Sequence, residues 1–326
     1  MSLSELFLGL EFPLTDHRSV FNTVTVVGYP FAKIGVNSEG FPVLLIRGTP
    51  NQERTSAKNI RLKHIELSHN VECKISESGI TSFSNFTVVL LRSNEKNLIQ
   101  YFLQISETFI KLLSGKPTTK ETALILNNFV EIFRVLSNPP TKTIQGLWAE
   151  LFVIRLSKKP ETLLHFWHRV PEERFDFNAD VEKLEVKSSS TFERVHTFTS
   201  EQLSPPVDKE VLIASLFLKQ SSNGLNLVNL ASQIAGQISD TYLIEKMYAI
   251  ISHTLGSSIS QSAEIKFDPE ISQSSLRFYK NSEIQKIERI HIPNKVTDVR
   301  FKSDLSNCAF LDAASFAKKG TLFSAL

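Results

Sequence analysis

The sequence is poor in cysteine and carries almost no net charge. Of its 326 residues only Cys73 and Cys308 are cysteines, and they are far apart with no Cys-x-x-Cys pattern. A disulfide framework or a zinc site is therefore not expected, which fits a reducing cytoplasm. The formal net charge of +2 neither favours nor excludes DNA, because phosphate binding depends on a local stripe of Lys and Arg side chains.

Long apolar segments are also missing. The strongest apolar block, residues 86–91, has the length of a strand and is too short to cross a bilayer. At the start of the chain, Glu5 and Glu11 interrupt the apolar residues and no basic cluster precedes them, so an export signal is not indicated. We therefore expect a cytoplasmic protein without a membrane partner.

The composition is that of a globular protein, with 41% hydrophobic and 21% charged residues and enough length for two domains. Strand-like segments dominate the first hundred residues, whereas apolar residues at helical spacing follow over 98–112. The sequence thus predicts a β-rich N-terminal domain over residues 1–115, which would bind DNA or a partner, and a second domain over residues 116–326.

The second half alternates between helical and strand-like patterns. Its predicted elements are a helix at 143–157, strands at 173–178, 184–190, 194–198 and 210–218, a turn at Asn223-Gly224, helices at 227–238 and 241–253, strands at 262–267, 274–279 and 284–292, and a closing helix at 310–319. This order predicts an α/β (α+β) fold in which helices flank a mixed sheet.

Chemistry-bearing residues concentrate in two short apolar runs, Phe175-Asp176-Phe177 and Leu184-Glu185-Val186-Lys187. A β-hairpin with a two-residue turn at Asp180-Val181 places Asp176 opposite Glu185, with their Cβ atoms within about 5.5 Å. Lys187 lies two residues further along the strand and points to the same face. Two carboxylates and an ammonium group would therefore converge on one spot.

This group of side chains suits a divalent cation and a phosphodiester. Mg²⁺ prefers carboxylate oxygens and keeps several waters, and Mn²⁺ is the alternative ion. A lysine beside the carboxylates can orient or deprotonate a water molecule, or stabilise negative charge in the transition state. The alternative is an ion pair on a half-solvated strand, since Glu-x-Lys is a common pattern and recurs at Glu264-Ile265-Lys266.

Further candidates lie before and after the hairpin. Glu150 occurs among apolar residues of the helix 143–157, and it either approaches the metal site or faces solvent. His196 could contact the phosphate or a water, although a structural role is the alternative. Gln202 could position the water, and the alternatives are that it caps a helix or is exposed at the surface. The basic residues near the hairpin could form a phosphate-binding rim or protect strand edges, and they are Lys183, Lys187, Arg194, Lys209 and Arg169.

The series of helix Glu, strand Asp and Glu-x-Lys resembles the PD-(D/E)XK nuclease superfamily, with Phe175 in place of the proline. More narrowly, the chain resembles the bacterial family described as "PD-(D/E)XK motif protein". The segments that carry the resemblance are Gly146 to Leu151, Trp167 to Phe177, Leu184 to Ser189, Arg194 to Leu203, Val211 to Leu216, Leu276 to Tyr279 and Ile284 to Ile290. The resemblance implies a restriction-endonuclease-like mixed β-sheet core.

It also implies a site in which Asp176, Glu185, Lys187 and Glu150 are catalytic and the three acids bind the metal. His196 and Gln202 would be auxiliary, and Lys183 and Arg194 would contact DNA. The expected activity is a Mg²⁺-dependent endodeoxyribonuclease in restriction or phage defence, together with methyltransferase or ATPase proteins of the same cluster. Cutting both strands of a duplex favours a homodimer.

Two readings without turnover remain open. One is a catalytically inactive DNA-binding or scaffold subunit of a multi-protein defence complex. The other is a structural protein whose hairpin carries an incidental ion pair.

Overall fold

The computed structural model describes residues 2–13, 19–49, 58–168, 173–311, 315 and 320–326. The chain is mixed α/β and divides into two compact units, Met1–Pro139 with Gly256–Ser260 and Pro140–Leu255 with Gln261–Leu326. Among the described residues, none of the helices combines the length and apolar character that crossing a bilayer requires.

The first unit contains a sheet that closes on itself. Its strands are β1 (Val20–Val26), β2 (Tyr29–Val36), β3 (Pro42–Ile46), β4 (Ile60–Arg61), β5 (Ile65–Glu77) and β6 (Ile80–Leu91). They are ordered β1-β2-β3-β6-β5-β4, and β1 also pairs in parallel with β5. This second pairing closes five of the strands into a small barrel, which leaves few free sheet edges. One cluster of its buried side chains consists of Phe21, Val43, Leu45, Cys73, Ile75, Phe86 and Val88.

Helices complete this unit. They are α1 (Leu3–Leu8), α2 (Lys96–Leu112) and α3 (Thr119–Arg134). Phe102 and Phe109 of α2 contact Phe129 of α3 edge to face, with ring centroids 5.6 and 5.2 Å apart. Because these rings pack together, the contact-defined unit extends beyond α3 to Pro139, whereas the sequence analysis divides the chain after residue 115. The assignment of two functional domains stays a prediction.

The second unit is built around a mixed sheet. Its helices are α4 (Ile144–Leu156), α5 (Pro160–Phe166), α6 (Ser200–Leu203), α7 (Leu227–Ala235), α8 (Thr241–Leu255) and α10 (Pro269–Ser275), and α9 (Ile259–Ser262) spans two chain segments assigned to different units. Its strands are β7 (Phe177–Ala179), β8 (Glu182–Ser189), β9 (Val195–Thr199), β10 (Glu210–Phe217), β11 (Gln220–Asn226), β12 (Lys266–Phe267), β13 (Arg277–Lys280) and β14 (Arg300–Asp304).

The main sheet has the order β13-β10-β8-β7, with β8 and β10 parallel and the other pairs antiparallel. The strands β11 and β12 form one separate antiparallel pair, and β9 and β14 form another. This arrangement confirms the predicted α+β class with a mixed sheet. The central strand β8 carries the Glu-x-Lys motif between β7 and β10, which places the motif inside the sheet.

Several predicted elements of the second half are wrong. Asn223-Gly224 lies within β11, and a Cβ on Gly224 would come within 2.5 Å of the Phe267 carbonyl oxygen. The glycine therefore serves the close approach of β12 and does not make a turn. The predicted strand at 284–292 instead contains one 3-10 turn, Arg289–His291, while β14 was not predicted. Of the predicted helix at 310–319, residues 312–314 and 316–319 lie outside the described residues.

Candidate functional site

The β7–β8 hairpin has the predicted register. Phe177 pairs with Leu184 and Ala179 with Glu182, and Asp180 in the turn has φ of +39°. Asp176 directly precedes β7, and its Oδ2 accepts a hydrogen bond of 2.8 Å from the backbone N–H of Val186. The hairpin thus fixes this carboxylate beside the motif strand.

Glu150 of α4 reaches the same place from the helix. The residues of α4 from 147 to 154 are all buried, so Glu150 lies in the interior with 3% of its surface exposed. The Lys142 ammonium bridges the two acids, because its Nζ is 2.7 Å from Glu150 Oε1 and 2.7 Å from Asp176 Oδ1. The prediction that this glutamate lies among the site acids therefore agrees with its position, and its role in catalysis stays a prediction.

Two aromatic side chains hold the other oxygen of Glu150. The Trp167 indole donates to Glu150 Oε2 at 2.8 Å, and His168 Nε2 lies 3.1 Å from the same oxygen. His168 Nε2 is also 3.3 Å from the Lys142 ammonium. The backbone N–H of His168 donates to the Asp176 carbonyl at 2.9 Å, which ties this segment to the hairpin. His168 Nδ1 is buried and has no hydrogen-bond partner among the described residues.

Glu185 and Lys187 form the second half of the cluster. The Lys187 ammonium lies 2.7 Å from Glu185 Oε1 and 5.2 Å from the centre of the Phe198 ring. Gln202 Nε2 donates to the same glutamate oxygen at 2.7 Å, and Gln202 also forms a capping box with Thr199 at the start of α6. Gln202 therefore both caps the helix and contacts the motif, and its role in positioning a water stays a prediction.

Among the described residues, this cluster contains three carboxyl groups, of Glu150, Asp176 and Glu185, and two ammonium groups. Burial and the neighbouring charge of Asp176 raise the pKa of Glu185 to about 8, although Lys187 opposes the shift. The pKa of Asp176 is also raised, by burial and by the charge of Glu150 against the attraction of Lys142. For Glu150, burial is outweighed by the hydrogen bond from His168 and the charge of Lys142, so its pKa is lowered. A further cation nearby would stabilise the ionised forms of Asp176 and Glu185.

His196 and Arg194 are buried next to one another and do not contact the acids in any described hydrogen bond. His196 Nε2 lies 2.8 Å from Ser215 Oγ, and burial together with the charges of Lys187 and Arg194 lowers its pKa to about 4. Arg194 donates to the Ser215 carbonyl and hydroxyl at 2.9 Å each and stacks on Phe217, with its Cζ 4.5 Å from the ring centre. With 4% of its surface exposed, Arg194 is a structural residue in this conformation, which does not favour the predicted DNA contact.

Lys183 and Lys209 of the predicted phosphate-binding rim lie among both acidic and basic side chains. Burial and the charge of Lys209 lower the pKa of Lys183, while Asp180, Glu173 and Asp208 oppose the shift. Lys209 itself pairs with Asp180 and Asp208 at 3.5 and 2.9 Å. Acidic and basic side chains alternate here, so this end of the hairpin is not a uniformly positive surface. Arg169 lies outside the described residues.

Among the described residues, one group could hold a metal ion, and it consists of Glu150, His168 and Asp176. One ligand atom from each lies within 4.8 Å of the others. Glu185 is not part of this group and lies on the Lys187 side of the site. The donor set fits a divalent cation, because the Lys142 ammonium already holds a position for positive charge between Glu150 and Asp176. An imidazole ligand favours Mn²⁺ over Mg²⁺, which prefers oxygen.

Sequence reasoning missed Lys142 and His168. Lys142 follows two prolines in a segment without periodicity, and His168 follows the end of α5. The only available signal was the distance of Lys142 from Glu150, eight residues or somewhat more than two helical turns. The isolated bridge between Trp167 and Phe177 places His168 near Asp176, but it joins segments that the sequence alone does not pair.

An acid before one strand, Glu-x-Lys on the next and a glutamate on a flanking helix are the arrangement that the sequence analysis attributed to the PD-(D/E)XK class. Residues 4–306 match the model of the family described as "Putative PD-(D/E)XK family member, (DUF4420)", and the chain belongs to this family. No curated protein gives a significant match. No solved structure gives one either. The family membership suggests a nuclease-like function with DNA as the substrate class.

Proposed function

We propose that the protein is a metal-dependent endodeoxyribonuclease that hydrolyses phosphodiester bonds with an activated water. The observation that carries the proposal is that three buried acids lie around the motif strand. Lys142 bridges Glu150 and Asp176, Asp176 Oδ2 accepts from the Val186 N–H of β8, and Glu185 directly precedes Val186. Burying three acids in one place is costly unless cations compensate them. Among the described residues, Lys142 and Lys187 are the two ammonium groups that contact these three carboxyl groups, so full ionisation of the acids would be favoured by a further cation.

The carboxylates have distinct tasks in this proposal. Asp176 from the hairpin, together with Glu150 and His168, would hold the ion, and Glu185 would keep Lys187 in place beside it. Mg²⁺ or Mn²⁺ at this place would acidify a bound water and screen the charge of the scissile phosphate. The hydrogen bond from Val186 to Asp176 and that from Gln202 to Glu185 fix the two carboxylates before substrate binds.

Lys187 is the residue that we assign to the reacting groups. Its ammonium lies beside Glu185, and the side chain of Lys187 keeps 19% of its surface exposed, which leaves a path by which a phosphate could approach it. In this position it would orient the attacking water or stabilise the negative charge that develops on the phosphorus oxygens. Lys183, on the same face of β8, is the remaining candidate for a contact with the DNA backbone.

A role in restriction or phage defence, alongside methyltransferase or ATPase proteins, is part of the proposal. A homodimer would match the symmetry of duplex DNA. A catalytically inactive DNA-binding or scaffold subunit is the second candidate, and one observation favours it. Lys142 already supplies a cation between Glu150 and Asp176, as expected of a protein that keeps the fold without turnover.

The test is plasmid cleavage by the purified protein with Mg²⁺, Mn²⁺, Ca²⁺ or EDTA, with and without the products of neighbouring genes. Asp176→Asn and Lys187→Met should lower cleavage by about a hundredfold or more, as expected for losing a metal ligand or a group acting in the transition state. The matched control is Lys266→Met, which changes the lysine of the second Glu-x-Lys copy. Lys266 donates to the Ser222 carbonyl at 3.2 Å and lies in β12.

Cleavage that persists in EDTA, or that Asp176→Asn leaves intact, would contradict the proposal. DNA binding without cleavage under every condition, equal in the parent protein and in Asp176→Asn, would instead support the scaffold subunit.

A further inference from the structure

We propose that Lys142 is a tethered counter-ion that occupies the metal position of the free protein, so that Lys142 and a divalent cation bind Glu150, His168 and Asp176 in competition. This inference rests on the proposed function. It adds that the protein carries its own cation in the site and must release it before the metal can bind.

The first support is the set of partners of the Lys142 ammonium. Its Nζ lies 2.7 Å from Glu150 Oε1, 2.7 Å from Asp176 Oδ1 and 3.3 Å from His168 Nε2. An ammonium group has three donor protons. The three residues that it contacts are the same three that form the candidate metal group, whose ligand atoms lie within 4.8 Å of one another.

The second support is the short distance between the ligand atoms of the candidate metal group. Ligand atoms that close together surround the position of one cation centre, because metal–oxygen distances of about 2.1 Å leave no room for an ammonium between them. Two positive charges held only a few ångströms apart in a buried place would also repel each other strongly. A bound ion and the present position of Lys142 therefore exclude each other.

The third support is the exposure of the residues involved. The side chain of Lys142 is 25% exposed, whereas the side chains of Glu150 and Asp176 are 4% and 8% exposed. Lys142 lies just before Thr143, the N-cap of α4, so its side chain can swing toward solvent without any movement of the helix. The acids are fixed, and the lysine is the group that can leave.

His168 supplies a further argument. Its Nε2 lies between an acceptor, Glu150 Oε2 at 3.1 Å, and a donor, the Lys142 ammonium at 3.3 Å. One ring nitrogen can serve only one of these partners at a time, because it either carries a proton or accepts one. Departure of Lys142 removes this conflict, and Nε2 can then bind a cation in the tautomer that carries the proton on Nδ1.

Lys187 provides the contrast within the same site. It contacts Glu185 at 2.7 Å and Gln202 at 3.5 Å, and none of its described hydrogen bonds goes to the metal group. Lys187 can therefore stay in place when an ion binds, as a group acting on substrate must. The two lysines of the cluster thus have different roles, one as a counter-ion and one beside the reacting groups.

The test compares Mn²⁺ binding by the full chain and by Lys142→Met, measured by isothermal titration calorimetry at one pH and ionic strength. Methionine keeps the length and apolar stem of the side chain without its charge. The variant should bind Mn²⁺ at least about tenfold more tightly, because no cation has to be displaced. Its melting temperature in EDTA should be lower than that of the parent, and Mn²⁺ should raise it by more.

The control is Lys209→Met, which removes a lysine that pairs with Asp180 and Asp208 outside the metal group and should leave Mn²⁺ affinity unchanged. If Lys142→Met does not fold, Lys142→Gln serves the same purpose, since glutamine donates hydrogen bonds without a charge.

Equal or weaker Mn²⁺ binding by the neutral variants would overturn the inference. If the parent protein nevertheless cuts DNA only with a divalent ion, the proposed function stands and the inference alone fails. Absence of Mn²⁺ binding in both the parent and the variants would overturn the inference and the metal-dependent function together.

Discussion

Each unit of the protein buries lysine against glutamate, but the two clusters differ in charge balance. In the first unit, Lys33 Nζ lies 2.6 Å from Glu77 Oε2, and Thr25 donates both its backbone N–H and its hydroxyl to the other oxygen. The pair is balanced, one cation to one anion. Burial of Glu77 is outweighed by its hydrogen bonds with Lys33 and Thr25, so the pKa of this carboxyl is lowered.

Among the described residues of the second unit, three carboxyl groups share two ammonium groups, and the pKa values of two of these acids are shifted upward instead of downward. The pKa values of Asp176 and Glu185 are raised because burial and mutual repulsion exceed the attraction of Lys142 and Lys187. In a balanced ion pair the cation stabilises the ionised carboxylate, and the pKa of the acid is therefore lowered. A cluster that leaves charge uncompensated is instead a candidate for a ligand of opposite charge.

The same substitution, from acid to amide, should separate the two clusters most clearly. Glu77→Gln leaves the ammonium of Lys33 buried without a charged partner and should lower the free energy of unfolding by about 2 kcal/mol. The loss should not be larger, because the side chain of Glu77 is partly exposed. Glu185→Gln relieves repulsion from Asp176 and should leave stability in EDTA at pH 8 unchanged or higher. Chemical denaturation of both variants measures the contrast.

The control for the structural pair is the double variant Lys33→Met with Glu77→Leu, which should recover most of the lost stability because no charge remains buried. Equal destabilisation by Glu77→Gln and Glu185→Gln would show that both clusters are structural and would end the comparison.

The hairpin and Glu150 are the parts of the site that could be predicted from the sequence. The hairpin was predictable because alternating apolar residues and a two-residue turn fix its register, and the register fixes the place of Asp176 and Glu185. Glu150 was visible as an unpaired acid in an apolar helix. These signals are local, since each arises from the spacing of residues within one or two elements.

The sequence does not reveal which side chains would compensate the charge of those acids. Lys142 and His168 lie 26 residues apart in segments outside helices and strands, and they meet only through the packing of α4, α5 and the hairpin. Sequence also did not reveal that Arg194, predicted to contact DNA, is buried, because its stacking on Phe217 and its bonds to Ser215 depend on which side of a strand faces the core. Non-local packing decides both cases.

A pH titration of stability sharpens the contrast. Because the pKa of Glu185 is raised to about 8, the folded protein retains a proton that the unfolded chain has lost above its ordinary pKa near 4.5. The contribution of Glu185 to stability in EDTA should therefore fall as pH rises from about 4.5 to 8, by at most about 1.4 kcal/mol per pH unit. The stability of Glu185→Gln relative to the parent should rise over the same window, as measured by denaturation at several pH values.

A flat difference between Glu185→Gln and the parent across this window would mean that Glu185 ionises normally and that the cluster is balanced after all. Asp208→Asn serves as the control, because the side chain of this acid is exposed and its neutralisation should give a small difference that does not grow toward pH 8.

The smallest expected effect concerns the hydroxyl that completes the structural pair. Thr25 Oγ1 donates to Glu77 Oε1 at 2.7 Å and accepts from Lys33 Nζ at 2.5 Å, so it satisfies both charges at once. Thr25→Val preserves the shape of the side chain and the backbone N–H bond, and it should cost about 1 kcal/mol. Because the acid then loses a donor, the pKa of Glu77 should rise toward its ordinary value, which NMR titration of the carboxyl can follow. A pKa that stays low in the variant would show that Lys33 alone stabilises Glu77, and the balance of this cluster would then depend on the ion pair and not on the hydrogen-bond network around it.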